Sequence, residues 1–129
     1  MRILAVATFL AFGAGVAAAA ECADQAGLDQ CADVDFKQAD HALNAAYDQI
    51  LGRLKTDDRL RQALVAAEKA WIAFRDAECI FRADPSQEGS IWPMEHLIGL
   101  KDETEARTKA LSGYLRCEEG DLRCPVPAQ

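Results

Sequence analysis

The chain has 129 residues, of which 50% are hydrophobic and 27% charged, with 21 Asp and Glu against 14 Lys and Arg for a formal net charge of −7. That acidity excludes binding of nucleic acid or an anionic membrane by charge, and directs any electrostatic attraction toward a basic partner or toward simple solubility. The length allows one small domain with one core.

The first twenty residues hold Arg2, an apolar run from Ile3 and a small-residue end, Ala17 to Ala20, before Glu21. This is the pattern of a secretory signal peptide with an Ala-x-Ala cleavage site. Residues 1–20 are therefore read as a leader and 21–129 as a single exported domain, periplasmic or secreted, with no membrane span after cleavage. Loss of Arg2 takes the charge from −7 to −8. All five cysteines, Cys22, Cys31, Cys79, Cys117 and Cys124, follow that site, as expected of an oxidising compartment, and an odd number leaves one unpaired.

After a short polar segment, helical periodicity begins near Leu28. Phe36, Leu43 and Ile50 recur at intervals of seven, and Asp40, Tyr47 and Leu54 form the adjacent row. Asp40 is an acid in an apolar row, with Asn44 one turn on. The only break before the next helix is Thr56-Asp57-Asp58, with Thr56 or Asp57 as N-cap. So short a break implies an antiparallel helical hairpin in which position i faces roughly 113 − i.

The second helix spans Leu60 to Phe81 without Gly or Pro, and places Leu60, Leu64, Ala67, Trp71, Phe74 and Phe81 at three-and-four spacing. We expect this stripe to be core. Arg75 and Asp76 beside it need partners, and the hairpin register offers an Asp40–Arg75 ion pair. The same register sets Cys31 near Cys79, a clamp at the open end; the rival is a local Cys22–Cys31 bridge that leaves Cys79 free.

Two prolines, a glycine and two serines mark residues 82–93 as a loop, and Pro93 suits the first turn of a third helix. In that helix Thr104 and Arg107 interrupt apolar rows through Leu97, Leu111, Leu100 and Tyr114. Cys117 and Cys124 bracket a turn at Gly120-Asp121 and are expected to bridge. Val126 to Gln129 reads as a mobile tail. The fold class is thus all-α: an antiparallel hairpin plus a third helix in a small, disulfide-stabilised bundle.

No catalytic set accompanies it. Asp40 with Asn44, Arg75 with Asp76, and Thr104 with Arg107 could form one layer across the bundle; we read it as a satisfied buried network that fixes helix register, not as an acid–base pair or anion pocket. His41 and His96 lack ligands at metal spacing, so neither metal nor cofactor is expected. Ser86 and Ser90 lack a nearby base, and Trp71 and Phe74 read as core. In the loop, Trp92 is either a hydrophobic staple onto the third helix or an exposed anchor. Ser86, Glu88, Ser90 and Trp92 make this loop a candidate partner-binding surface.

Taken jointly, Asp29-Gln30-Cys31-Ala32, Ala39-Asp40, Leu43-Asn44, Tyr47, Ala70-Trp71, Phe74-Arg75-Asp76-Ala77-Glu78-Cys79, Gly89-Ser90, Pro93-Met94, Thr104 and Arg107 resemble the LprI-type lysozyme inhibitor family. The resemblance covers nearly the whole mature chain, from Cys22 to about Leu115. It implies a small exported helical domain, not an enzyme, whose partner is a basic lysozyme-like enzyme. The alternative is a structural or envelope-maintenance protein of the periplasm. The chain departs from the family at Gly99, where many relatives carry a cysteine about eight residues before the arginine matched by Arg107. By that comparison Cys79 has lost its usual partner.

Overall fold

The structure, a computed structural model, describes residues 22–129; the signal peptide expected over residues 1–20 lies outside the described residues. Three helices follow in order: α1 (Gln25–Arg53), α2 (Asp58–Ala83) and α3 (Trp92–Tyr114), with a 3-10 turn at Asp84–Ser86 after α2. No strand occurs among the described residues.

The first two helices start where an aspartate supplies a partner for otherwise orphaned backbone N–H groups. The Asp24 carboxylate accepts from the Gly27 N–H at 2.8 Å, and Asp57 accepts from the Leu60 N–H at 2.9 Å. Pro93 stands in the first turn of α3, where its missing donor is harmless. At the far end of α1, Arg53 Nη1 donates to the Leu115 carbonyl at 2.8 Å, tying the end of α1 to the end of α3.

The core lies at this end of the bundle. Leu43, Ala46 and Ile50 of α1, with Leu54 just after its end, meet Leu111 of α3, and Leu60, Leu64 and Trp71 of α2 pack against them. Val126 is buried in the same cluster, so the C-terminal segment is docked at that residue and is not a loose tail as expected. It packs beside a cavity of about 240 Å³ between the start of α2 and the end of α3, lined by Ile50, Leu60, Leu64, Arg107, Tyr114 and Val126.

The chain doubles back as expected, between Arg53 and Asp58, and the register is close. Position 36 was expected to face position 77; the Arg75 guanidinium lies 5.6 Å from the Phe36 ring centre. The rotation of α2 differs. Backbone packing is mainly of α3 against α1 and then α2, while α1 and α2 meet through side chains. The row facing inward on α2 is Leu64, Glu68, Trp71, Arg75 and Cys79, whereas Ala67, Phe74 and Phe81 point to solvent. Phe74 is 55% exposed, which corrects its reading as core. The reason is on α3, which offers Gly99, Thr104 and Arg107 on the facing side: Glu68, Arg75 and Cys79 match these groups, and an apolar stripe would have stranded them.

Cys22 and Cys31 form one disulfide and Cys117 and Cys124 the other, with Cα separations of 6.1 and 5.9 Å. The Cys31–Cys79 clamp is therefore not made: Cys31 is taken by the local bridge, and Cys79 is a free, buried thiol on α2.

Candidate functional site

The polar residues inside the helical rows separate into distinct groups. Arg75 is bound by Asp76 on its own helix, with Nη2 2.8 Å from Oδ1, and its Nη1 lies 3.5 Å from Thr104 Oγ1. Its guanidinium also sits between the Phe36 and Trp71 rings, 5.6 and 5.2 Å from their centres. Arg107 pairs with Glu68, which receives its Nε at 2.8 Å and its Nη2 as well. Asp40 accepts only from Asn44, four residues on, at 3.1 Å. The Asp40–Arg75 ion pair is thus absent: Arg75 is taken by Asp76 on its own helix and lies against Phe36, one turn before Asp40 on α1.

These groups hold helices together. Each guanidinium is matched by a carboxylate on α2, and Thr104, which is fully buried, receives Arg75. Glu68 is the residue sequence reasoning missed. Its signal was its place seven residues before Arg75 and between Leu64 and Trp71, the row that turned out to face inward. Among the described residues there is no group of three or more His, Cys, Asp and Glu side chains able to hold a metal ion. No helix among them is long and apolar enough to cross a membrane.

The loop between α2 and α3 is internally bonded. Ser86 Oγ lies 2.5 Å from Glu95 Oε2 and 2.9 Å from the Ala83 carbonyl, and the Gly89 N–H donates to the Ser86 carbonyl at 2.7 Å. Trp92 is half-buried as the first residue of α3 and stacks on His96, with ring centres 4.9 Å apart. Glu88, Ser90 and Ile91 are exposed, as are Gln87 and Gly89. Of the four residues singled out in this loop, Ser86 and Trp92 are therefore engaged within the fold, and Glu88 and Ser90 face solvent.

A second loop stands at the opposite end of α3, closed by the Cys117–Cys124 bridge. Gly120, at φ 88°, takes the left-handed turn that other residues resist, and Asp121 Oδ1 accepts from the Arg123 N–H at 3.0 Å. This turn presents Glu118, Glu119 and Asp121 to solvent, together with Leu122, which is 99% exposed. Along α1, Asp29, Asp33, Asp35, Asp40 and Asp48 outnumber Lys37 and Arg53. On α3, Lys101 lies 3.5 Å from Glu105 and 3.4 Å from Asp102, and these carboxylates, Glu105 foremost, raise its pKa. The acidic surface is thus carried by α1 and the C-terminal turn.

A small three-helix domain with an acidic flank, two disulfides and an inhibitor-like motif set can be compared with known proteins. The family model for the lysozyme inhibitor LprI matches residues 16–111, about three quarters of the chain. The chain belongs to the LprI lysozyme inhibitor family. It is also similar to an uncharacterised protein of Rhizobium meliloti (strain 1021), 29% identical over 106 residues, covering 74% of this chain and 76% of that one. No solved structure matches. The LprI match includes the whole of α1 and α2, the bonded loop and α3 as far as Leu111, and stops short of the disulfide-closed turn.

Proposed function

We propose that this LprI-family chain is an exported inhibitor that binds a basic, lysozyme-like peptidoglycan hydrolase through its acidic surface and carries out no chemistry of its own. The observation that carries the reading is the family match over residues 16–111. The distribution of charge supports it: five carboxylates along α1 and three in the C-terminal turn, in a chain of net charge −7, would steer a cationic enzyme toward one flank. Within that flank the turn has the better anchor, since Leu122 is free to enter an apolar pocket and the disulfide holds its flanking acids in place. The loop at the other end of α3 contributes Glu88 and Ser90 where a target is large enough to reach both ends.

The test is muramidase activity measured against increasing amounts of the mature, oxidised protein at low ionic strength. Dose-dependent loss of cell-wall lysis at micromolar protein is expected, and reversing charge at Glu118 and Glu119 together should weaken it at least tenfold. Unchanged lysis over that range, with a panel of basic lysozymes, removes the inhibitor reading and leaves the envelope-maintenance role.

A further inference from the structure

The outward face of α2 is apolar over about five turns. Ala63, Ala66, Ala70, Ala73 and Ala77 run along it in the open, and Phe74, Ile80 and Phe81 stand beside them at 55%, 52% and 74% exposure. No charged side chain interrupts the stripe between Ala63 and Phe81, because the charges of this stretch lie at its edges or turn toward α3. The exposed aromatic and aliphatic surface, with the alanines, is on the order of 500 Å². Two such faces together would bury about 1,000 Å², the lower bound for a specific protein–protein interface.

The arrangement is nearly symmetric about Ala70. Reversing the helix there sets Ala63 on Ala77, Ala67 on Ala73 and Phe74 on Ala66, so the Phe74 ring meets a small residue. Phe81 falls on Arg59, which is exposed on the same side and can place its guanidinium over the ring. Alanine at the crossing lets the two helix axes approach closely. Charge points the same way. In α2, Arg59, Arg61, Lys69, Arg75 and Arg82 exceed Asp58, Glu68, Asp76 and Glu78 by one, whereas α1 and α3 carry an acidic excess. Two copies of a chain with net charge −7 therefore meet with least repulsion along α2.

We propose that this face is a homodimer interface, in which the α2 helices of two copies cross antiparallel about a two-fold axis at Ala70. The contact is isologous and closed, and leaves the acidic flank of each copy open. It stands apart from the inhibitor reading and can fail or hold without it.

Sedimentation equilibrium of the mature, oxidised protein from about 1 μM to about 500 μM should show a monomer–dimer equilibrium, as expected for an interface at the small end of the range. Ala70→Arg, on an exposed position, should be monomeric throughout with an unchanged helical spectrum and melting temperature, and Ala77→Lys should weaken association at least tenfold. Under mild oxidation Ala70→Cys should cross-link to its own counterpart. Ala63→Cys should not, because its mate would lie roughly 21 Å away along the helix. A monomer across the whole range, a dimer unaffected by Ala70→Arg and Ala77→Lys, or cross-linking at position 63 in place of 70 would each overturn the proposal.

Discussion

Cys79 and Gly99 meet where α2 crosses α3. A Cβ placed on Gly99 would lie 3.5 Å from the Cys79 Cβ and 3.3 Å from its Sγ. That Cβ separation is within the range of disulfides, and it agrees with what resemblance to relatives implied, that the residue opposite Cys79 is the missing cysteine. Gly99→Cys should therefore close a bridge across α2 and α3, abolish the free thiol in a titration of the denatured, unreduced protein, and stabilise by about 3 kcal/mol on the chain-entropy model for a loop of this length. As the chain stands, burial pushes the Cys79 thiol above its ordinary range, with Glu103 adding to the effect. A thiol pKa higher in the folded than in the unfolded state stabilises the fold in full below the unfolded value. That contribution is lost as pH rises past it toward the folded value. Stability should accordingly fall above about pH 9, and Cys79→Ala should flatten that fall in denaturant titrations repeated across pH. The neighbouring ion pairs differ in cost. Glu68 and Arg107 are both largely enclosed, so removing either side chain strands the other and should cost about 3–5 kcal/mol. Arg75→Ala leaves behind Asp76, whose side chain is half open to water, and should cost clearly less in the same chemical denaturation series.

Among the elements, α1 and α3 and the turn between α1 and α2 were legible because local rules decide them. Asp57 caps, Pro93 opens a helix, and the rows through Leu43, Ile50 and Leu111 face inward as their spacing says. The rotation of α2 was not legible from its own periodicity. Two candidate stripes exist on that helix, one through Phe74 and Phe81 and one through Glu68 and Arg75, and the more apolar one lost. Only the identity of the opposing residues on α3 decides between them, and that is information about a pair of elements. Hence Asp40 was sought as the partner of Arg75 and Glu68 was overlooked, although the hairpin register itself was nearly right. The C-terminal segment was misread for a related reason: Pro125 and Val126 look like a tail until the space beside Ile50, Leu54 and Leu111 is seen. Deleting residues 125–129 should uncover that cluster and cost about 1.5–3 kcal/mol, the value of one buried aliphatic side chain. Val126→Asp should destabilise at least as much, which a thermal melt of the two variants beside the parent chain will read.

For the molecule as a whole, charge and apolar surface are segregated. Carboxylates gather on α1 and on the turn closed by Cys117 and Cys124, while α2 shows solvent its uncharged stripe. A target drawn in by the acidic flank would be recognised through contacts that salt screens, because Glu118, Glu119 and Asp121 of the turn and Asp35 and Asp48 of α1 are exposed. Inhibition of a basic lysozyme should therefore weaken steeply between low ionic strength and about 0.5 M salt, chiefly through slower association, whereas Leu122→Ala should act mainly on dissociation. Stopped-flow or surface-capture kinetics across salt concentrations would separate the two. An association rate indifferent to salt would mean that the acidic flank plays no part in finding the enzyme, and would shift recognition to the exposed Glu88 and Ser90 loop or to the apolar face of α2.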